Sequence, residues 1–261
     1  METLERVLNM RAIITGASSG IGKDMAYILA RKGYDLTLVA RRTDRLNDLA
    51  KNLPVSCQII SADLSDINQC KMVYEKAKGK DVQILINNAG FGLFGKFSDT
   101  DLERELSMIQ TNITAVHVLT KLFLKDFKEQ NNGYILNVAS SAGFMAGPLM
   151  STYYATKNYV LRLTQAIHEE LRRDKINVKV CALCPGPVET EFNNVADVRF
   201  SIGGLKSSFV AQYGLDKMFK GKCVIVPSLA MRLTLASRHL APEFLMPRIT
   251  YNIQKQKEKN V

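Results

Sequence analysis

A hydroxyl, a phenol and an ammonium group lie close together in the stretch SSAGFMAGPLMSTYYATK, which runs from Ser140 to Lys157. Tyr153 and Lys157 are four residues apart in a segment whose apolar residues recur with helical period, so both side chains share one helix face. An ammonium beside a phenol favours the phenolate, so we expect the pKa of Tyr153 to lie below its usual value of about 10. Ser140 is the last residue of the strand-like run YILNVAS, where its hydroxyl can bind a substrate oxygen. The three residues are candidates for proton-transfer chemistry.

A tyrosine and a lysine at this spacing also occur on the solvated side of ordinary amphipathic helices, so the pair alone leaves both interpretations open. A second polar feature lies upstream. Asn112 and Thr114 interrupt the long helical segment DLERELSMIQTNITAVHVLTKLFLKDFKEQ. Because a buried polar side chain must be hydrogen-bonded, we expect Asn112 to bend this helix and to hold a water that reaches Lys157.

A glycine-rich turn near the start of the chain, RAIITGASSGIGKDMAYILARKG, separates a strand-like run from an apolar-periodic helix. Gly16 permits a tight exit from the strand, Gly20 lets the backbone approach a pyrophosphate, and Gly22 allows close packing at the helix start. The N–H groups of the helix amino terminus suit phosphate oxygens. The pattern predicts a dinucleotide site at Thr15, Gly16, Ser18, Ser19, Gly20, Ile21 and Gly22.

Two arginines, Arg41 and Arg42, end the second strand-like run, DLTLVA. A site selective for NAD usually has a carboxylate here, which accepts a hydrogen bond from the ribose 2′-hydroxyl. A guanidinium cannot accept that proton but can clamp a 2′-phosphate, so we predict NADP (NADPH) as the cofactor, with Arg41 the first choice. The alternative is a pair of solvated arginines on a loop.

Further cofactor contacts are predicted where the third and fourth strand-like runs end. Asp63 can accept the adenine amino group, with Leu64 beside it, although Asp63 serves equally well as an N-cap for the next helix. After VQILIN, the short side chains of Asn88, Ala89 and Gly90 let a ribose lie against the backbone.

The sixth strand-like run, NVKVCAL, is followed by PGPVETEF. Pro185 and Gly186 end the strand, while the Val188 N–H and the Thr190 hydroxyl can bind a carboxamide. The loop-rich segment around 188–222 suits a substrate lid with a Gly203-Gly204 hinge. Its apolar residues, together with those before Tyr153, predict an apolar pocket lined by Phe192, Val195, Phe200, Ile202, Phe209, Met145, Leu149 and Met150.

Short β-branched runs alternate with helix-length amphipathic segments throughout the 261 residues. This order predicts the α/β class, with one doubly wound parallel sheet and helices on both of its faces. No repeat or linker marks a second domain, so we expect a single domain over residues 1–250 and a basic, mobile tail over 251–261.

The net charge of +10 is compatible with nucleic acid, anionic lipid or an anionic cofactor. Basic residues are dispersed and no nucleic-acid-binding motif is present, so we expect no nucleic-acid partner. Five scattered cysteines and a charged amino terminus indicate a reduced, cytoplasmic protein without a signal peptide. His117 and His168 have no third ligand at metal spacing, so no metal site is expected.

Together, these motifs resemble the short-chain dehydrogenase/reductase superfamily, in its NADP-preferring branch near hydroxysteroid dehydrogenases and 3-oxoacyl-thioester reductases. The resemblance covers nearly the whole chain and implies a Rossmann-type fold. It places a catalytic tetrad on Asn112, Ser140, Tyr153 and Lys157, in which Tyr153 is the acid/base and Lys157 also holds the nicotinamide ribose. It also implies a homodimer or higher homo-oligomer formed through the segment from Asp101 and the helix that carries Tyr153.

The resulting expectation is an NADPH-dependent oxidoreductase that interconverts a ketone or aldehyde and an alcohol, on a steroid-like or fatty substrate. One alternative is a reductase of 3-oxoacyl thioesters on a carrier protein or coenzyme A, with Arg172 and Arg173 as a docking site. An alternative of another class is a non-catalytic protein that senses NADP. The basic, apolar stretch after CVIVP either caps the domain or contacts an anionic membrane surface, and the cap is the favoured interpretation.

Overall fold

Seven apolar runs of the sequence form one parallel sheet. In this computed structural model, which describes residues 10–192, 196, 204–237 and 242–255, the sheet has the order β3-β2-β1-β4-β5-β6-β9, and every pairing is parallel. Two short strands, β7 and β8, pair separately. The strands are β1 Arg11–Thr15, β2 Asp35–Ala40, β3 Cys57–Ser61, β4 Val82–Asn87, β5 Gly133–Val138, β6 Val178–Leu183, β7 Val188–Glu189, β8 Leu205–Lys206 and β9 Val224–Ile225.

Helices cover both faces of the sheet, as the alternating pattern predicts. Neighbouring strand residues point to opposite faces, so Ile14 packs with one group of helices and Ile13 with the other. No helix in the described ranges is both long and apolar enough to cross a membrane. The helices are α1 Gly20–Arg31, α2 Thr43–Lys51, α3 Ile67–Ala77, α4 Leu102–Ile109, α5 Ala115–Gln130, α6 Ser151–Arg173, α7 Ser207–Phe219, α8 Leu229–Ser237 and α9 Met246–Lys255.

The strand order reverses between β1 and β4, because the chain runs outward from β1 to β3 and then returns to pair β4 with the other edge of β1. In an open parallel sheet, a crevice forms beyond the carboxyl ends of the strands at such a point. The glycine-rich turn after β1, the residues after β4, Ser140 after β5 and Pro185 after β6 all lie at this edge.

The long helical segment that contains Asn112 is interrupted as expected. A π-helical turn, Gln110–Thr114, joins α4 to α5, and Asn112 is fully buried at its centre. A π turn inserts one extra residue into a helix and is frequent at functional sites.

The structure describes parts of two segments for which the sequence predicts a lid and a tail. In the segment 188–222, helix α7 does not cover a crevice but packs against α1, with Val210 and Leu215 fully buried in the core; residues 193–195 and 197–203, which include Gly203, lie outside the described ranges. At the carboxyl end, 251–255 continue helix α9 and bury Gln254, so the change at residue 250 is not a structural boundary. Residues 256–261 lie outside the described chain.

Substitution of Phe127 tests how much the core beside β5 contributes to the stability of the fold. It is fully buried, and its ring lies 6.2 Å from that of Phe123 between centroids. Phe127→Ala should lower the free energy of unfolding by about 3–5 kcal/mol, because a cavity replaces the ring. Phe97→Ala is the matched control, since Phe97 is 68% exposed, and it should change the value by less than about 0.5 kcal/mol. Equal urea midpoints for the two variants would contradict this view of the core.

Candidate active site

A cavity of about 570 Å³ lies at the carboxyl edge of the sheet. It brings together most of the residues that sequence reasoning selected from six separate parts of the chain. Three do not line it: Thr15, Gly22 and Asn112 lie behind its wall. The predicted residues that do line it are Gly16, Ser18, Ser19, Gly20, Ile21, Arg41, Arg42, Asp63, Leu64, Asn88, Ala89, Gly90, Ser140, Tyr153, Lys157, Pro185, Gly186, Val188 and Thr190.

Hydrogen bonds tie the glycine-rich turn to the end of β4. The Thr15 hydroxyl accepts from the N–H groups of Asn88 (3.0 Å) and Ala89 (3.1 Å) and donates to the Ile86 carbonyl (3.3 Å). The Asn88 amide donates to the carbonyls of Thr15 (3.0 Å) and Gly16 (3.1 Å). Thr15 therefore shapes the cavity from behind rather than contacting a ligand in it.

The turn has the form that a pyrophosphate requires. Gly16 and Gly20 have φ values of +64° and +54°, which favour glycine. A Cβ on Gly22 would lie 2.4 Å from the Asn88 amide nitrogen, so only glycine lets α1 start this close to β4. The Ser19 side chain does not cap α1, which leaves the N–H groups of its first turn available to an anion. The donor set fits the predicted dinucleotide.

An ion-pair cluster borders the opening of the cavity beside α2. The Arg42 guanidinium donates to Glu191 (2.9 Å) and to the hydroxyls of Ser18 (3.1 Å) and Ser19 (3.2 Å), and Arg45 also donates to Glu191 (2.5 Å). These hydrogen bonds from Arg45 and Arg42 hold the pKa of Glu191 below its usual value. We call this set of contacts the Glu191 bridge. It joins the start of α2 to the segment after β7, and sequence reasoning missed it because no local pattern pairs a carboxylate with arginines so distant in the chain.

Arg41 and Asp63 make a looser pair. The Arg41 side chain is 72% exposed, and its nearest guanidinium nitrogen lies 3.8 Å from the Asp63 carboxylate. Burial raises the pKa of Asp63, but hydrogen bonds from Ser65 and the charge of Arg41 outweigh it and hold that pKa below its usual value. The N-cap of α3 is Asp66, which accepts from Asn68 N–H at 2.8 Å, so the N-cap hypothesis for Asp63 is wrong.

Ser140, Tyr153 and Lys157 converge on the cavity from the end of β5 and the first turns of α6. The Ser140 hydroxyl accepts from the Ala142 N–H (3.1 Å) and donates to the Pro185 carbonyl (3.5 Å). The Lys157 ammonium donates to the Val138 carbonyl (2.9 Å) and lies 5.9 Å from the centre of the Tyr153 ring. One face of α6 thus presents both the phenol and the ammonium.

Asn112 supports this arrangement from behind. Its amide donates to the Phe91 carbonyl (2.9 Å) and to the Thr156 hydroxyl (3.1 Å), and its oxygen accepts from the Phe91 N–H (3.1 Å). A Cβ on Gly90 would lie 2.8 Å from that oxygen and 3.4 Å from the Lys157 nitrogen. Asn112 therefore fixes the backbone after β4 beside Lys157, and the water that it is expected to hold remains a prediction.

The pKa of Tyr153, next to Lys157, differs from the expected one. Burial raises the pKa of Tyr153 to about 12, although the hydrogen bond with Ser140 opposes the shift. Burial also lowers the pKa of Lys157 to about 8, opposed only by the nearby Cys184. The expectation that the ammonium lowers the tyrosine pKa below its usual value is wrong for this structure, because burial dominates the pKa of Tyr153 and Lys157 donates to the Val138 carbonyl instead.

The buried ammonium should make stability depend on pH. Because the folded pKa of Lys157 lies below its unfolded value of 10.5, the unfolded chain holds more protons between pH 8 and 10.5, and stability rises across that range. Relative to Lys157→Met, the wild type should gain about 1–3 kcal/mol of unfolding free energy between pH 7.5 and 10. Urea unfolding at both pH values provides the measurement. Lys121→Met removes an exposed lysine on α5 and is the control: its unfolding free energy should change with pH as that of the wild type does. The same pH dependence in the wild type and in Lys157→Met would refute the assignment.

The wall beyond Tyr153 is largely apolar. Of the expected apolar residues, Phe192 and Met150 line the cavity, whereas Phe209 is 48% exposed on α7. Met145 packs nearby without lining it, and Leu149 is buried but is not among the lining residues. Val195, Phe200 and Ile202 lie outside the described residues. Helical periodicity does not show which turn of a helix meets a cavity. Sequence reasoning therefore missed several lining residues, namely Phe91, Arg104, Ser107, Thr111 and Tyr154.

Comparison with known proteins agrees with this geometry. The family model described as short chain dehydrogenase matches residues 10–198, and the chain belongs to this family. It is therefore an oxidoreductase that interconverts carbonyl and alcohol groups of small molecules with a nicotinamide dinucleotide. The fold and the Ser140–Tyr153–Lys157 arrangement are consistent with that assignment.

Similar proteins include enzymes of several named activities. An NADP-dependent 3-hydroxy acid dehydrogenase of Schizosaccharomyces pombe is 35% identical over 200 residues, which cover 74% of this chain and 76% of that protein. The human 17-beta-hydroxysteroid dehydrogenase type 3 is 32% identical over 191 residues, 71% of this chain and 61% of that protein. A solved short-chain dehydrogenase from Sphingobium yanoikuyae, in complex with NADPH, is 31% identical with a TM-score of 0.79, covering 88% of this chain and 94% of that chain.

Proposed function

We propose that this protein is an NADPH-dependent reductase of an apolar ketone, with Tyr153 as the proton donor. The observation that carries the proposal is the convergence of Ser140, Tyr153 and Lys157 on one cavity with the glycine-rich turn and Arg41. The dinucleotide supplies the hydride when it is bound. A non-catalytic sensor of the dinucleotide would have no need for a buried lysine beside a tyrosine, which is costly to maintain.

The protein's own residues act on the substrate oxygen. Ser140 and Tyr153 are placed to donate hydrogen bonds to a carbonyl oxygen, which stabilises negative charge as it develops there. With a pKa of about 12, Tyr153 is fully protonated near neutrality and has a proton to give. Lys157, with a pKa of about 8, is largely protonated at pH 7, and its charge stabilises the phenolate that remains.

The two arginines after β2 differ in how strongly they are bound to other residues, and this difference supports NADPH as the cofactor. Arg42 is engaged by Glu191, Ser18 and Ser19, whereas Arg41 is mostly exposed and has only a 3.8 Å contact with Asp63. Arg41 can therefore turn to a 2′-phosphate without losing a strong partner. The NADP-dependent relative and the NADPH-bound structure add support.

The substrate class follows from the wall of the cavity. Phe91, Met150 and Phe192 offer an apolar surface next to Tyr153, which suits a steroid-like or fatty ketone. Arg104 lines the same cavity and favours a second candidate, a 3-oxoacyl thioester or 3-oxo acid with an anionic group. The expected carrier-docking arginines give no support, because both Arg172 and Arg173 donate to Glu169 on their own helix.

Oligomer and location are part of the same proposal. Leu102 and Leu106 on α4 are 65% and 44% exposed, and Tyr159 on α6 is 37% exposed, so these two adjacent helices offer an apolar surface to a second copy. We expect a homodimer through this surface. The five free cysteines fit a reduced cytoplasmic location.

Tyr153→Phe should abolish most turnover while leaving cofactor binding intact. The rate of NADPH oxidation is measured by absorbance with steroid ketones, 3-oxoacyl thioesters, aldehydes and quinones as substrates. On the preferred substrate this rate should fall at least about a hundredfold, because the proton donor is gone. Fluorescence titration should show the same dissociation constant for NADPH. Tyr154→Phe is the control: it removes a neighbouring phenol and should lose less than about tenfold. Native turnover in Tyr153→Phe would refute the assignment, and the preferred substrate separates the two candidates.

Arg41→Asp should shift the cofactor preference from NADPH toward NADH. A carboxylate at this position repels the 2′-phosphate and can accept the 2′-hydroxyl instead, so the ratio of the two dissociation constants should change by at least about tenfold. Arg31→Asp, an exposed arginine in the last turn of α1, controls for the loss of positive charge alone. An unchanged dissociation constant for NADPH in Arg41→Asp would count against the role of Arg41.

A further inference from the structure

Helix α9 is turned with its apolar side outward. Its inner side is polar: Thr250 is 3% exposed and donates to the Ala146 carbonyl (2.9 Å), and Gln254 is 1% exposed and donates to the Tyr154 hydroxyl. Its outer side presents Ile249 and Ile253, which are 45% and 50% exposed. An amphipathic helix on a soluble domain normally buries its apolar side, so this orientation indicates that something else covers α9.

Helix α8 and the turn before α9 also expose apolar side chains. Leu235 packs inward, 7% exposed, against Phe144, while Leu229 and Leu233 are 68% and 66% exposed on the other side of α8. Phe244 is 68% exposed in the 3-10 turn before α9. Both helices rest on the segment that follows Ser140, since α8 contacts the turn Ser141–Phe144 and α9 bonds Ala146. We call the exposed side of α8, the 3-10 turn and α9 the C-terminal surface.

Basic residues accompany these apolar side chains. Arg248 and Lys255 are exposed on α9. From residue 229 onward the sequence has six basic residues and only two acidic ones, namely Arg232, Arg238, Arg248, Lys255, Lys257 and Lys259 against Glu243 and Glu258. Of these, Arg232 is bound to the domain itself, because it donates to the Val226 carbonyl and the Tyr213 hydroxyl. Apolar and basic side chains together on one helix are the combination that binds anionic lipid surfaces, where the apolar groups enter the acyl boundary and the cations pair with phosphates.

We propose that the C-terminal surface docks this enzyme on an anionic lipid bilayer. A second copy of the chain fits the surface less well, because a twofold interface would bring two surfaces of the same net positive charge together. The expected dimer uses other exposed apolar residues, namely Leu102 and Leu106 on α4 and Tyr159 on α6.

Docking here has a consequence for the cavity, which rests on the function proposed above. The inner sides of both helices touch its walls: the Met231 side chain of α8 packs on Gly186, and Gln254 of α9 holds Tyr154. A bilayer under the C-terminal surface therefore lies next to the substrate end of the cavity, and a membrane-dissolved ketone has a short path to Tyr153.

The experiment measures vesicle binding of the full-length protein without substrate or cofactor, so its outcome does not depend on the proposed reaction. Vesicles of phosphatidylcholine with phosphatidylglycerol are compared with vesicles of phosphatidylcholine alone by flotation at 50 mM and 500 mM salt. The wild type should float with the anionic vesicles at low salt, and its partition coefficient should fall at least about fivefold on neutral vesicles or at high salt.

Two variants locate the binding surface. Ile249→Ser combined with Ile253→Ser should lower the partition coefficient on anionic vesicles at least about tenfold, because the apolar anchor is lost. Ile67→Ser is the matched control, since Ile67 is 42% exposed at the start of α3 on another part of the molecule, and it should bind as the wild type does. Thermal melts verify that both variants are folded.

Three results would overturn the proposal. The first is a wild type that stays with the aqueous fraction at low salt. The second is unchanged binding by the α9 double variant. The third is a double variant whose molar mass in light scattering is smaller by one subunit than that of the wild type, while the wild type does not bind vesicles. This result would assign the C-terminal surface to contact between copies.

Discussion

The burial of the Lys157 ammonium constrains everything around it. An uncompensated cation in a protein interior is costly, so its surroundings must supply fixed acceptors and dipoles. Lys157 is 5% exposed and donates to the Val138 carbonyl at the last residue of β5, where the sheet has no further strand residue to bond that oxygen. Helix α6 must therefore start beside the end of β5, and this places Tyr153, one turn earlier, at the edge of the sheet. The positions of the phenol and the ammonium follow from one buried charge.

Much of the fold was predictable because its determinants are local. The seven apolar runs, RAIIT among them, form the seven strands of the main sheet, and the glycine-rich turn lies where a strand meets a helix. The interruption at Asn112 was also visible, since a buried amide amid helix formers requires a partner. Periodicity does not reveal which atoms become that partner, and they are the backbone groups of Phe91 and the hydroxyl of Thr156.

What the sequence did not reveal depends on contacts between distant segments and on desolvation. The Glu191 bridge joins residues almost 150 positions apart in the chain, so no motif contains it. The pKa of Tyr153 was misjudged because spacing on a helix shows proximity to Lys157 but not how deeply the pair is buried. Residues rich in glycine and serine before α7 suggest a lid in the sequence, but they do not reveal the packing of α7 against α1, which is a tertiary effect.

At the π turn Gln110–Thr114, the number of residues in the turn determines the geometry of the site. Each residue of an α-helix turns it by about 100°, so the extra residue in the turn sets the rotation of α4 relative to α5. Deletion of one residue between 110 and 114 would restore a regular helix yet swing Arg104 and Ser107 away from the cavity that they line. Substitutions on α4 leave its rotation relative to α5 unchanged, whereas an insertion or deletion in the turn alters it. Length variation among related chains should therefore avoid this turn and accumulate in the loops at the opposite edge of the sheet.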